Sequence, residues 1–171
     1  MDALVRAAHR GISHLSKALA GDPEIYRECW LSENAQAVIF AAAVSGAGAR
    51  ADATDTLDHL ACEDENHREI WEHAQTGTVL LEAAADGVAE GARASAYNAL
   101  GNLAYGENAY AMWEHAGVRA ALAAAATADA ADVRKSAVGA LKNLAFATGN
   151  KRKMWGHAGV HAALLDSAAK K

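Results

Sequence analysis

The chain of 171 residues is poor in three things: one proline, two cysteines and 6% aromatic residues. Each scarcity narrows the reading. With Pro23 as the only proline, the rest of the chain is free of the strongest helix breaker. Phe, Val and Ile are few, and no stretch alternates apolar and polar residues as a half-buried strand would. Cys29 and Cys62 fall on different predicted helices among apolar neighbours. They read as two reduced, packed thiols in an intracellular protein, cytoplasmic or nuclear, in preference to a disulfide. No run of about 18 apolar residues is free of charge, which argues against a membrane span. The start, MDALVRAAHRG, lacks the uninterrupted apolar segment of a secretory leader. What the chain has is alanine, much of its 52% hydrophobic content. Alanine is the best helix former, and its small side chain lets helices approach closely. The expected fold class is all-α.

Trp30, Trp71, Trp113 and Trp155 are spaced by 41, 42 and 42 residues. Even spacing of this kind is the mark of one structural unit repeated and stacked on itself. Around the tryptophans the copies align: PEIYRECWLSENAQAVI (23–39), ENHREIWEHAQTGTVLL (65–81), GENAYAMWEHAGVRAAL (106–122) and GNKRKMWGHAGVHAAL (149–164). A second set of copies reads TLDHLA (56–61), ALGNLA (99–104) and ALKNLA (140–145).

Each unit is predicted to contain three helical pieces. A short one carries the tryptophan, at 108–115 in the third copy, and Ala116-Gly117 is expected to break it. A second piece covers 118–126, and Asp129 and Asp132 offer N-caps to a third. The third piece covers 133–146 and is expected to stop at Thr148-Gly149. Its buried stripe is Val133, Ala137, Ala140, Leu141 and Leu144, at steps of three and four. The same stripe appears as Ala92, Ala96, Ala99, Leu100 and Leu103, and as Thr56, Leu57 and Leu60. The four tryptophans, with Ile70, Met112 or Met154 beside them, are predicted to be structural, wedging the short helix against neighbouring units.

A unit of this length, with a short helix, a glycine bend and two further helices ending in A-L-x-N-L-A, resembles the armadillo repeat family. The resemblance covers residues 20–171. It implies an α-α superhelix (solenoid) whose third helices line a concave face. The chain then divides as one domain, 1–171, with a partial repeat at 1–20, complete repeats at 21–64, 65–106 and 107–148, and a partial repeat at 149–171. The 2–19 segment reads as a lone third helix with Leu4, Ala8, Ile12, Leu15 and Leu19 on one stripe, followed by an Asp22-Pro23 helix start. Residues 161–171 read as a second helix without a third. A solenoid cut at such points exposes apolar surface, so end-to-end self-association, or a place in a longer array, is expected.

The family resemblance also implies a partner, a protein or an extended peptide held along the concave face. In similar proteins the asparagine of A-L-x-N-L-A hydrogen-bonds the backbone of a bound segment, and Asn102 and Asn143 match it. A carboxamide offers donor and acceptor together, which suits a peptide group. The alternative for both residues is a hydrogen bond within the stack. In nuclear-import adaptors of the family a tryptophan stands four residues earlier. Here those positions are Asp55, Asn98 and Gly139, and His59 replaces the asparagine in the first unit, so the import-type basic-peptide pocket does not carry over. Asp55, His59, Asn98, Asn102, Lys135, Gly139, Lys142 and Asn143 are the candidate partner-binding residues. Asp52, Asp55 and Asp58 would attract a basic segment at one end, and Arg134, Lys135 and Lys142 an acidic one at the other. Charge follows the same polarity: residues 1–90 hold 16 acids against 6 Lys/Arg (−10), and residues 91–171 hold 5 against 10 (+5).

Other chemistries fit less well. His73, His115 and His157 recur once per unit, but stacked units lie about 8–10 Å apart while zinc ligands sit about 2 Å from their ion. A hydrogen bond at the end of the short helix, favoured by the helix dipole when the ring is charged, is the expected role. No metal or other cofactor is implied. The glycines of SGAGAR (45–50) lack the lysine-hydroxyl ending of a phosphate loop, and no G-x-S-x-G element is present. Glu63, Asp64 and Glu65 read as helix-start charges, and Lys151-Arg152-Lys153 as a solvated loop and helix start rather than part of a nucleic-acid stripe. The chain is therefore expected to be a non-catalytic scaffold. The alternative is an architectural or regulatory subunit held through its ends or convex face.

Overall fold

The computed structural model describes residues 2–169, with side chains from residue 10 onward. The described residues form twelve α-helices and no strand. In order they are α1 (Asp2–Gly21), α2 (Tyr26–Leu31), α3 (Glu33–Ala43), α4 (Ala47–Leu60), α5 (His67–Glu72), α6 (Thr76–Ala83), α7 (Glu90–Leu103), α8 (Asn108–Glu114), α9 (Ala116–Ala125), α10 (Ala131–Phe146), α11 (Thr148–Gly156) and α12 (Ala158–Ala169). Single 3-10 turns at Pro23–Ile25 and Asp64–Asn66 lead into α2 and α5. Asp22 accepts from the Glu24 amide at 3.1 Å with proline at the first turn position, as its sequence suggests.

The long helices pack in succession, α1 on α4, α4 on α7, and α7 on α10. Short helices touch the next short helix (α5–α8, α8–α11), and middle helices do likewise (α6–α9, α9–α12). The buried stripes match the periodicity. Val133, Ala137, Ala140, Leu141 and Leu144 are buried on α10, and Ala92, Ala96, Ala99, Leu100 and Leu103 on α7. Each buried leucine is worth about 1.5–3 kcal/mol of transfer free energy. Small residues set the distance: a Cβ on Gly101 would lie 3.4 Å from the Ala140 Cα, so the α7 and α10 backbones are nearly in contact. Of the α1 stripe, Ile12 and Leu19 are buried and Leu15 is partly so, while Leu4 and Ala8 lie outside the described side chains.

The chain redirects at places the sequence does not suggest. The break after α8 is at His115, which is extended (ψ 107°) and caps α9 by accepting from the Val118 amide at 3.3 Å. Ala116 and Gly117 are already inside α9. Glycine serves there for room, because a Cβ would meet Leu81 Cδ1 at 3.0 Å and His115 Cε1 at 3.2 Å. Asp129 and Asp132 do not cap α10, whose N-cap is Ala130 without a side-chain bond. Thr148 and Gly149 open α11 instead of closing α10, and the bend is the extended Ala147. Lys151, Arg152 and Lys153 accordingly lie on α11, with the Lys153 ammonium paired to Glu114.

The recurring histidines have two jobs. His157 caps α12 as His115 caps α9, and His73 accepts from the Gln75 amide. Their bond therefore belongs to the start of the following helix, with Nδ1 accepting from a backbone amide, and not to the end of the short helix as expected. Each ring also stands edge-on to the tryptophan of the preceding unit: His73 to Trp30, His115 to Trp71 and His157 to Trp113, at 6.0, 6.1 and 5.9 Å. Burial pushes the His73 imidazole below its usual pKa, and the ring stacks on Phe40 at 4.1 Å. Trp30 and Trp113 are buried, Trp71 is half-buried, and Trp155 is 70% exposed. No described residue stands over Trp155 as the histidines stand over the others; it tilts onto its own helix pair, against His161.

A second periodic element escaped the sequence reading. Asn66, Asn108 and Asn150 are buried, and each donates to a carbonyl of the unit before it: Tyr26 (3.2 Å), His67 (2.7 Å) and Ala109 (2.8 Å). Asn66 and Asn150 donate also to Leu60 and Leu144, at 3.0 and 3.1 Å. These amides tie consecutive units by adding a side-chain donor to a carbonyl in the first turn of the preceding short helix.

Candidate functional site

Three long helices present a groove of about 810 Å³. α4 and the residues after it contribute Asp58, His59 and Cys62; α7 contributes Ala94, Tyr97, Asn98, Gly101 and Asn102; α10 contributes Asp132, Lys135, Ser136, Gly139, Ala140 and Asn143. Tyr97 is a rigid floor, its hydroxyl shared between the carbonyls of Ala84 (3.3 Å) and Ala121 (3.2 Å) on the middle-helix layer. Gly101 and Gly139, with Ala94 and Ala140, keep the walls low.

Six of the eight candidate residues line this groove: His59, Asn98, Asn102, Lys135, Gly139 and Asn143. Asp55 does not. It lies nearer α1, where the Ser16 hydroxyl donates to it at 2.8 Å. Lys142 does not line it either: it lies 6.0 Å from the Phe146 ring and lines a separate apolar hollow with Val138, Leu141 and Trp155. Arg134 is tied to the carbonyls of Ala128 and Asp129. The basic side of the groove is thus Lys135 alone, with Asp132 one turn before it.

The two asparagines are partly committed within the stack. Asn102 donates through Nδ2 to Asp58 Oδ1 at 3.1 Å and to Cys62 Sγ at 3.5 Å. Asn143 donates one N–H to the Gly101 carbonyl at 2.9 Å. The hydrogen bond within the stack, the alternative for both residues, is present in each. Among the described residues nothing donates to either side-chain carbonyl, and Asn143 keeps one free N–H. His59 sits 2.9 Å from the Asp55 carbonyl through Nδ1, which fixes Nδ1 as the donor and leaves Nε2 outward.

Asp58 is the residue that sequence reading undervalued. Its carboxylate is half-buried and meets two neutral amides, of Asn98 and Asn102, with no Lys or Arg in contact among the described residues. Burial pushes its pKa up to about 6, with Asp55 adding to the rise while His59 and the two amides oppose it. A raised carboxyl pKa means that the folded chain binds the proton more tightly than the unfolded chain does. The contribution of Asp58 to stability is greatest below about pH 4 and is lost as pH rises through about 6. Asp58→Asn is therefore expected to stabilise the chain at pH 7.5 by about 1–2 kcal/mol and to leave it unchanged near pH 4. Urea unfolding at both pH values checks this; equal shifts at the two would mean that Asp58 is solvated like a surface acid.

Cys62, expected to be packed, is exposed at the groove edge, and Cys29 is half-buried; both thiols are free. Burial raises both thiol pKa values, so neither is an activated nucleophile. No described helix is long and apolar enough to cross a membrane. Comparison with known proteins finds no matching family model, no matching curated protein and no matching solved structure.

Proposed function

We propose that the chain is a right-handed superhelix of armadillo-like units that serves as a protein-interaction module. Its concave face, formed by α4, α7 and α10, takes an extended segment of a partner and holds it by its main chain. The observation that carries this reading is the groove, which crosses three repeats and gathers their matching positions His59, Asn102 and Asn143. The successive packing of like helices supports the superhelix. The unpaired side-chain carbonyls of Asn102 and Asn143 give backbone N–H groups somewhere to donate, at the interval of stacked units.

Peptides selected from a displayed random library on the wild-type chain provide the test. Asn102→Ala with Asn143→Ala is expected to weaken their binding about tenfold, from two lost hydrogen bonds. Helical circular dichroism should be nearly unchanged. Binding that survives the double change would reject main-chain capture. One observation favours the architectural alternative, in which the chain is gripped by an end: Trp155, Phe146 and Leu165 are exposed by 70, 61 and 61%.

A further inference from the structure

Beside the groove, and sharing Asn143 with it, lies a smaller recess of about 410 Å³, walled by Tyr105, Tyr110 and Phe146 with Glu107 at its side. These three aromatic side chains are 46, 47 and 61% exposed. Asn143 borders both spaces, so one extended segment passing it reaches Asp58 on one side and the aromatic recess on the other. The two ends differ in chemistry. Asp58 is a recessed, half-buried carboxylate favoured by His59 and the amides of Asn98 and Asn102, with no Lys or Arg in contact among the described residues, and such a charge gains from a cation that arrives with the ligand. The recess offers ring faces and edges to an apolar side chain.

We infer that the bound segment carries one Lys or Arg, seated at Asp58, and an apolar side chain seated between Tyr105, Tyr110 and Phe146. The inference rests on the groove reading above and gives it a ligand chemistry. Its spacing follows from the helices: the recess is walled by Tyr105 and Tyr110 from the α7–α8 side and by Phe146 from α10, one to two interhelical steps from α4, about 8–20 Å. An extended chain covers that in about three to six residues at ~3.3 Å each. A run of basic residues does not fit, because Lys135 lines the groove and Lys142 stands by Phe146. A single cation does. The groups facing it are Asp55, His59 and Cys62 on the α4 side, Tyr26 from α2, and the amides of Asn98 and Asn102 from α7.

Selected library peptides are expected to share one basic position and one apolar position at that separation. A synthetic peptide of this kind should lose about 10- to 100-fold in affinity when its arginine is replaced by citrulline, which keeps the shape and removes the charge. On Asp58→Asn the arginine and citrulline forms should bind within about twofold of each other. Phe146→Ala should weaken the peptide and abolish the preference for its apolar residue. Affinity of the arginine form should rise about tenfold from pH 5 to 7.5 on the wild type and by much less on Asp58→Asn, which retains Asp55, His59 and Cys62. Without any variant, the carbon resonance of the Asp58 carboxyl should titrate at lower pH once the peptide is bound.

Peptides that need Asn102 and Asn143 but ignore citrulline, or an unmoved Asp58 titration, overturn this inference and leave the groove reading standing. Peptides indifferent to the double asparagine change, or a library that yields none, overturn both.

Discussion

Trp113→Ala is expected to destabilise the chain by about 3–5 kcal/mol, and Trp155→Ala by less than ~1 kcal/mol, although the two occupy the same place in the repeat. Trp113 is 3% exposed. The His157 ring stands edge-on to it at 5.9 Å, the Arg119 guanidinium lies 5.7 Å from the ring centre, and Arg119 also donates to the Trp113 carbonyl. Removing the indole leaves a cavity between two units and takes away the surface on which the His157 cap is set. Trp155 has no following unit over it among the described residues and leaves little behind when cut back. Denaturant unfolding of the two variants measures the difference. Equal costs would show that Trp155 is covered in solution; light scattering at rising concentration would then be expected to show association through this end, in favour of the architectural reading.

Asn66→Ala is the second large effect, about 2–4 kcal/mol. The side chain is fully buried and supplies the donors for two carbonyls, Tyr26 at 3.2 Å and Leu60 at 3.0 Å. Alanine removes both donors and the carbonyl that accepts from the Arg27 guanidinium at 2.9 Å, and the loss falls on the junction between α2 and α5. Asn102→Ala also removes donors to a neighbouring helix, yet its partners are a groove-facing carboxylate and an exposed thiol that water can reach. It should cost no more than ~1 kcal/mol. Equilibrium unfolding of the two variants side by side tests the contrast. If they prove equal, the buried amides do not bind the units together.

Much of the fold was readable because helical periodicity reports burial directly. Leu100, Leu103, Leu141 and Leu144 recur at steps that can only share one face, and they are buried. The same rule brought His59, Asn102 and Asn143 to one side, since equal positions in equal helices point alike. The junctions were not readable in this way. Glycine invites a bend wherever it stands, but Gly117 and Gly149 are needed where neighbours crowd, against Leu81 and Tyr110. The turn itself falls on His115, whose imidazole caps α9 in place of the short hydroxyl, carboxylate or amide side chains that mark most helix starts. Lys142 is misplaced by a related limit: periodicity places its Cα on α10, while its four-carbon stem takes the ammonium toward Phe146. Asn66, Asn108 and Asn150 carried a visible signal, one asparagine every 42 residues, that an apolar-stripe search passes over.

The pairing of an indole with the imidazole of the next unit has an optical consequence. Trp30, Trp71 and Trp113 each sit at a different joint, and each looks onto a ring that alters its emission when that joint parts. Trp155 is 70% exposed, belongs to no joint between described units, and adds emission that reports on none of them. With that one residue changed to phenylalanine, the natural fluorescence of the chain becomes a record of which seam opens first under strain, heat or ligand, without any added dye.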